Sequence, residues 1–239
     1  MKSNTICGTN AVAALFANRA DDVLRLFYTE AMAPHVGAWC ATLAAARKPY
    51  RKLEPADMEA VAGTAHHGQV AAVARPRKVP ILDFADPPRA RVLLVLDGIG
   101  NPHNLGAIAR SAAFFGVRHL LIGEGIGHAL PSDAAYRTAE GGLEALEVYR
   151  TRNLPGAMTA IEPYYRTVAA SLSREAGTLA DLPRDRAIAL VLGAEETGVS
   201  ETVRAACRRE VRIGARGPVQ SLNVAQAAAV LLNALTAPG

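Results

Sequence analysis

Apolar runs alternate with helix-forming segments in the second half of the chain, and this alternation restricts the fold more than any other feature. The clearest run is Val92–Asp97 (VLLVLD), whose only polar residue is its last. Such runs are typical of parallel strands covered on both faces. Strands are predicted over residues 92–97, 119–122, 145–149, 167–171, 188–192 and 210–213. Helices are predicted over residues 104–115, 132–139, 154–161, 200–206 and 221–235. The pattern predicts an α/β domain that binds ligands beyond the carboxyl ends of its strands.

The first half of the chain predicts a smaller domain of α/β/α layers. Its first helix is expected in the later part of residues 6–17, and further helices over 35–46 and 54–61; its strands are expected over 23–28, 50–53 and 67–74. The first helix follows a Gly8-Thr9-Asn10 turn in which Asn10 could be the N-cap. Residues 76–90 contain four prolines and several charges, as linkers do. We therefore expect domains over residues 1–75 and 91–239, joined by a linker over 76–90.

Composition excludes several classes of protein. Half of the 239 residues are apolar and a fifth are charged, so a large core is available and disorder is not expected. The sequence has no run of 18 apolar residues, so no membrane-spanning segment is expected. The N-terminus also lacks the apolar centre of a signal peptide. Cys7, Cys40 and Cys207 are far apart and odd in number, which indicates thiols of a reducing cytoplasm. The histidines and cysteines have no metal-ligand spacing, so no metal is expected.

Positive charge is concentrated in one region. The net charge is +4, and seven Lys or Arg residues stand against three acids between residues 47 and 78. Four of the seven lie together, at Arg47, Lys48, Arg51 and Lys52. They could form a phosphate-binding patch or simply a solvated surface.

Three loops lie at the predicted carboxyl edge of the strands. The first leads into a helix with Asn104 as its expected N-cap and Arg110 among small neighbours; it lacks the GxGxxG fingerprint of dinucleotide-binding folds. The second carries Glu195 between glycines. The third, with Gly214, Gly217 and Pro218, leads to Ser221 as an expected N-cap and then to a helix so apolar that it should be buried on most sides. In isolation, Arg110 could be a surface residue, Glu195 a turn acid and the third loop a simple helix cap.

Together, three segments of these loops resemble the signature motifs of the SpoU/TrmH-type RNA ribose methyltransferases. The segments are residues 101–112 (NPHNLGAIARSA), 192–198 (LGAEETG) and 221–225 (SLNVA). Residues 6–12 (ICGTNAV) and 64–71 (TAHHGQVA) resemble the substrate-binding domain that precedes many of these enzymes. The resemblance implies a trefoil knot in the catalytic domain, a ribosomal-protein-like N-terminal domain that binds RNA through the four clustered basic residues, and a homodimer.

The resemblance also implies the chemistry. The methyl group of S-adenosylmethionine would be transferred to a ribose 2′-hydroxyl of ribosomal or transfer RNA. Backbone groups of Gly193, Ile213 and Leu222 would hold the donor, with Leu192 and Gly198 nearby. Arg110 would activate the hydroxyl or hold the adjacent phosphate, with Glu195 as its orienting partner or as the proton acceptor. The neutral side chains that would fix the ribose and the arginine are Asn104, Ser221 and Asn223.

The chain departs from the family pattern at two places. Gly214 and Ala215 stand where proline and methionine are usual, and residues 139–142 (AEGG) lack a serine that is often found there. A non-catalytic RNA-binding relative with the same fold is therefore the main alternative. A nucleotide-dependent oxidoreductase is a further alternative, but the glycine fingerprint that it needs is missing.

Overall fold

The computed structural model describes residues 2–183 and 185–237, and its first sheet has four strands. The order of elements is β1 (Asn4–Cys7), α1 (Thr9–Arg19), β2 (Val23–Tyr28), α2 (Gly37–Ala45), β3 (Tyr50–Lys52), α3 (Pro55–Ala62) and β4 (Val70–Ala74). Short 3-10 helices cover Ala20–Asp22 and Glu30–Met32. The strands lie in the order β1-β4-β2-β3, with β4 antiparallel to β1 and β2, and β3 parallel to β2.

Helices cover both faces of this sheet, as the α/β/α prediction requires. Ile6 of β1 packs in the same cluster as Leu15 of α1 and Leu43 of α2, whereas its neighbour Cys7 packs with Met58 of α3. Two expectations were wrong. Strand β1 was not predicted, because four residues beginning with Asn4 and Thr5 have no apolar run. Helix α1 begins at Thr9 after Gly8, whose φ is 96°, so Asn10 is not its cap.

The second sheet has seven strands. Its elements are β5 (Val92–Asp97), α4 (Pro102–Phe114), β6 (His119–Gly123), α5 (Asp133–Ala139), β7 (Glu147–Thr151), α6 (Leu154–Ile161), β8 (Arg166–Ala170), β9 (Gly177–Thr178), β10 (Ile188–Gly193), α7 (Glu201–Ala205), β11 (Arg209–Arg212) and α8 (Val224–Thr236). Short 3-10 helices cover Gly142–Ala145 and Leu179–Asp181. The order is β7-β6-β5-β10-β8-β11-β9, and every pairing is parallel. Only β9, two residues long, was not predicted.

Burial on both faces explains the unbroken apolar runs. All six residues of β5 are buried; Leu94 packs with α4 and α8, while Leu93 and Val95 pack with α6. The apolar sequence of a strand therefore does not show which side chains lie on which face of the sheet. That assignment depends on how the helices pack against the two faces.

Two predicted helix caps were wrong. Helix α4 begins at Pro102, and the cap is Asn101, whose Oδ1 accepts the His103 amide at 2.8 Å. Helix α8 begins at Val224, and Asn223 caps it by accepting the Ala225 amide at 2.9 Å. In both cases another good capping residue lies nearby in sequence, and proline at the first helical position decides the first case.

Helix α8 is buried along one face within the protomer, not on most sides as expected. Its buried residues are Val224, Ala228, Leu231, Leu232 and Leu235. The opposite face is exposed, and Val230 on it is 44% exposed. The apolar sequence therefore exceeds what one protomer buries.

Residues 76–90, predicted as a linker, lie against the second sheet. Ile81 forms a β-bridge with Arg150, Leu82 is buried, and the Arg77 guanidinium donates to the carbonyls of Leu143 and Leu146. A well-packed segment can still be the boundary between domains, and the boundary at 76–90 stays a prediction.

The two sheets are joined by a charged contact and a shared apolar cluster. Arg19 of α1 donates to both carboxylate oxygens of Glu144, at 2.8 and 2.6 Å, and Glu144 is buried. Asn4 donates to Asp133 at 2.7 Å. Ile6 and Leu15 belong to the same cluster of buried side chains as residues of α4 and α5. Within the described residues, no helix is long and apolar enough to cross a bilayer.

Candidate functional site

Three polar side chains from distant segments meet at the carboxyl edge of the larger sheet. Asn104 Nδ2 donates to Glu195 Oε1 at 3.1 Å. Asn223 Nδ2 donates to Asn104 Oδ1 at 3.2 Å and also contacts Glu195 Oε1. The carboxylate of Glu195 is thus held by two amides, which fix its orientation without neutralising its charge. We call Asn104, Glu195 and Asn223 the polar triad.

The sheet brings the triad together. Strands β5 and β10 are parallel neighbours, with Asp97 opposite Gly193 at their carboxyl ends. The loop after β5 therefore leads to Asn104 beside the loop after β10, which carries Glu195. Asn223 joins them because it caps α8, which packs on α4.

Asp97 ties two of these loops together, although sequence reasoning gave it no role. Its Oδ2 accepts the Ser200 amide at 2.7 Å, and the residue is buried. The available signal was a lone acid at the end of an otherwise apolar strand. Such a residue must find donors when it is buried.

The Glu195 loop closes on itself through two glycines. Gly198 donates its amide to the Ala194 carbonyl at 2.8 Å and has a φ of 68°. A Cβ at Gly193 would lie 1.9 Å from the carbonyl carbon of Gly198. No side chain fits at Gly193, so the tight approach depends on glycine there.

A cavity of about 650 Å³ lies beside the triad, a size suited to a small-molecule ligand. All five residues predicted to hold a cofactor line it: Leu192, Gly193, Gly198, Ile213 and Leu222. Glu195 and Ser221 also line it, as do Gly214 and Ala215. Among the residues that sequence reasoning missed are Ser171 and Ser173 after β8, and Arg204 of α7. Nothing in their local sequence separates them from other loop and helix residues.

Arg110 lies apart from this cavity. Its Nη1 contacts Glu140 Oε1 at 2.9 Å, and its side chain is 57% exposed. Arg110 is six residues beyond Asn104 on α4, so it lies on another face of the helix and faces the turn after α5. Glu140 is therefore the ion-pair partner of Arg110 in this protomer, and the described residues show no ion pair between Arg110 and Glu195. Glu195 as the proton acceptor, the other role considered from sequence, stays a prediction.

The four basic residues of the first half lie around strand β3, at the edge of the smaller sheet; Arg47, Arg51 and Lys52 are exposed, and Lys48 is half-buried. Lys48 Nζ donates to the Asp21 carbonyl at 2.7 Å, and Lys52 pairs with Glu30. The hydrogen bond to Glu30 raises the pKa of Lys52. For Arg47 and Arg51, the described residues include no ion-pair partner. Their role in binding RNA stays a prediction.

The cysteine near α7 is no nucleophile at neutral pH. Burial, with added repulsion from Glu210 and Asp97, raises the pKa of Cys207 to about 12. Across the described part of the chain, no cluster of three His, Cys, Asp or Glu residues could hold a metal ion.

Comparison with known proteins identifies matching families in both halves. Residues 91–233 match the model of the SpoU rRNA Methylase family, and residues 5–80 match a model for RNA 2′-O ribose methyltransferase substrate binding.

Two curated relatives and one solved structure are representative. The uncharacterized tRNA/rRNA methyltransferase YfiF of Escherichia coli O157:H7 is 31% identical over 95% of this chain, which spans 66% of that relative's length. The 23S rRNA (guanosine-2′-O-)-methyltransferase RlmB of Acinetobacter baylyi is 31% identical over 73% of this chain and 73% of its own. An AdoMet-bound rRNA methyltransferase from Sinorhizobium meliloti superposes with a TM-score of 0.80 at 19% identity, covering 98% of this chain and 86% of its own.

Proposed function

The chain belongs to the SpoU rRNA methylase family, and from this membership we propose that it transfers a methyl group from S-adenosylmethionine to a ribose 2′-hydroxyl of RNA. The observation that carries the proposal is the polar triad at the edge of the 650 Å³ cavity. The cavity offers backbone amides and carbonyls among apolar side chains, as recognition of an adenosine by shape and hydrogen bonds requires.

The residues that line the cavity fit this donor. Leu192, Ile213 and Leu222 supply apolar contacts, while the closed turn of Gly193 and Gly198 presents backbone polar groups. When bound, S-adenosylmethionine supplies a methyl group on a positively charged sulfur. Glu195 places a negative charge in the same cavity.

Within the triad, we assign Glu195 as the acceptor of the proton that the ribose hydroxyl loses. Its carboxylate is oriented by Asn104 and Asn223 through Oε1, and its Oε2 accepts no hydrogen bond from the described residues. A ribose hydroxyl that donates to this oxygen is held for attack, and the same oxygen accepts its proton. Ser221, which lines the cavity, gives the ribose a further hydrogen-bonding partner.

In this proposal, Arg110 binds the phosphate beside the target ribose. A guanidinium does not give up its proton at neutral pH, so it acts by its charge and its donors rather than as a base. Its exposure leaves donors available for an RNA phosphate.

The substrate in this proposal is ribosomal or transfer RNA, and the smaller sheet is the part of the chain that binds it. The match of residues 5–80 to a substrate-binding family and the exposed basic residues at β3 support this assignment. We place the boundary between the two domains at residues 76–90. We also propose that the protein is cytoplasmic, which cell fractionation tests.

A homodimer formed through α4 and α8 is also part of the proposal. Phe114 of α4 is 83% exposed and Val230 of α8 is 44% exposed, and a second copy would cover both. Arg110 and Phe114 lie four residues apart on one face of α4, so the dimer would place Arg110 at the interface. Sedimentation measures the oligomeric state. A dimeric wild-type protein and a monomeric Phe114→Lys variant would support this interface, whereas a monomeric wild-type protein would contradict it.

The trefoil knot remains a proposal as well, supported by the family membership and by the place of β11 between β8 and β9 in the sheet. A crystal structure whose α8 lies outside the preceding loop, without threading, contradicts it.

One pair of measurements tests the proposed reaction. Calorimetry with S-adenosylmethionine should show binding, and tritiated donor should label RNA extracted from a strain that lacks the gene. Arg110→Ala should reduce labelling to a small residual rate while donor binding persists. If the wild-type protein binds RNA but neither binds donor nor labels RNA, the chain is a non-catalytic relative and the proposal is wrong.

A further inference from the structure

Glu140 contacts both Arg110 and the smaller, N-terminal sheet domain. Its Oε1 pairs with Arg110 Nη1 at 2.9 Å, and its Oε2 accepts a hydrogen bond from Asn10 Nδ2 at 3.2 Å. Asn10 lies in the first turn of α1. One carboxylate therefore connects α1 of the smaller sheet with the arginine of α4.

The turn that carries Glu140 is wedged between the two helices. A Cβ at Gly141 would lie 3.0 Å from the Asn10 carbonyl oxygen and 2.9 Å from the Ala14 Cβ. A Cβ at Gly142 would lie 2.8 Å from the Arg110 Cα. The backbone of the turn thus touches α1 on one side and α4, at Arg110 itself, on the other.

The backbone conformation of Glu140 is unfavourable for a glutamate. Its φ is 44°, in the left-handed region, where it caps the end of α5. Glycine and asparagine are preferred at such a position because a larger side chain crowds the backbone. The carboxylate, and not the local backbone, is what suits glutamate to this site.

The pairing leaves most of the guanidinium available. Glu140 contacts Nη1, and Arg110 has no other side-chain partner among the described residues, so Nε and Nη2 can donate to a further anion. A carboxylate at one end and a phosphate at the other would fix both the position and the plane of the group.

We propose that Glu140 is a positioning residue that holds the Arg110 guanidinium ready for the RNA phosphate and, through Asn10, keeps it in register with the N-terminal domain. This proposal rests on the proposed methyl transfer. It makes the segment 139–142, where the chain departs from the family pattern, a working part of the site.

Substitution of Glu140 separates positioning from folding. Glu140→Gly removes the carboxylate but relieves the backbone, so its melting temperature should equal or exceed that of the wild type. Its kcat for labelling RNA from the deletion strain should nevertheless fall about tenfold, while donor affinity stays unchanged. Glu140→Gln should also slow the reaction, because it keeps the size of the side chain and loses the charge.

Two controls complete the experiment. Glu162→Gln removes the carboxylate partner of another arginine, Arg208. Neither residue lines the cavity, so this variant should leave kcat unchanged. In an Arg110→Ala background, Glu140→Gly should have no further effect on any residual rate, because the group that it positions is gone.

The outcomes separate this proposal from the reaction itself. An active wild-type enzyme whose Glu140→Gly variant keeps its kcat overturns the positioning role. A faster variant overturns it too, since Glu140 would then restrain Arg110 rather than prepare it. Equal losses in the presence and absence of Arg110 would make the effect independent of the arginine. A wild-type protein that labels no RNA instead contradicts the proposed function.

Discussion

Asn104 donates to Glu195 at 3.1 Å across 91 residues of chain. The contact exists because β5 and β10 are hydrogen-bonded neighbours whose carboxyl ends are level, so the loops that follow them meet. Asn223 reaches the same carboxylate from the start of α8. The position of each triad member therefore depends on an element of the sheet or on a helix packed against it.

Asn223 has two functions that one substitution can separate. Its Oδ1 caps α8 and its Nδ2 holds the other two triad members. Asn223→Ser keeps a capping oxygen, so the free energy of unfolding should change by less than about 1 kcal/mol. The amide donor is lost, and we expect methyl transfer to fall about 10- to 100-fold. Asn101→Ser, a cap substitution at α4 outside the triad, is the control, and equal losses in both variants would remove the triad from the chemistry.

Gly193→Ala should prevent donor binding. The new Cβ would overlap the Gly198 backbone, so the Glu195 loop cannot close. Gly214→Ala is the matched control, because a Cβ there meets no atom within 4 Å although the residue lines the same cavity. Calorimetry with S-adenosylmethionine should show no heat for the first variant and nearly wild-type affinity for the second. Binding by Gly193→Ala would place the donor elsewhere.

Neutralising the basic residues around β3 should weaken RNA binding and reduce its salt dependence. Changing Arg47, Lys48, Arg51 and Lys52 to glutamine should lower the slope of log K against log salt by up to about 3. The Arg47/Arg51 pair should account for more of this change than the lysine pair, since Lys48 and Lys52 already have partners in the protein. Arg118→Gln, exposed before β6, is the control. An unchanged slope in the fourfold variant assigns the RNA contact to another surface.

Tyr136 makes stability depend on pH in the alkaline range. Its side chain is 1% exposed, its hydroxyl has no partner among the described residues, and burial together with the charge of Glu144 raises its pKa to about 12 from an ordinary value of 10. The folded state therefore keeps the phenol proton that the unfolded chain releases above pH 10. The associated stability is complete below pH 10 and is lost as the pH rises through 12.

Tyr136→Phe removes both the unpaired hydroxyl and the titration. The variant should be more stable by about 1 kcal/mol near pH 7, and its advantage should grow by up to about 2–3 kcal/mol through pH 12. Denaturant unfolding at several pH values measures the difference, with the exposed Tyr50→Phe as a surface control. An advantage that stays constant from pH 8 to 12 contradicts the account of Tyr136.

The sequence predicted most of the larger sheet because its strands carry their own signal. Runs such as Val92–Asp97 are apolar since both faces are covered, and no surface strand needs such a run. The strands β1 and β9 gave no such signal because they are four and two residues long. Pairing with neighbours, rather than composition, defines strands of that length.

The site was predictable where its position follows from the sheet. Gly193 is the last residue of a buried strand and Glu195 lies two residues beyond it, so their place at the carboxyl edge could be inferred. The partner of Arg110 could not be inferred, because it depends on how closely the turn at Gly142 approaches α4. The choice between Asn101 and Asn104 as a cap was available from Pro102, which favours the first helical position.

Arg19 pairs with the buried Glu144, and the two sheets share one cluster of buried side chains, so we expect little rotation of one sheet against the other at this junction. A rigid surface of this kind binds ligands whose shape already matches it, because it cannot close around them. An RNA that contacts both the β3 edge and the polar triad must therefore adopt the required length and curvature, because the protein does not adjust. We expect flexible or already bent RNAs to bind better than stiff duplexes of the same sequence.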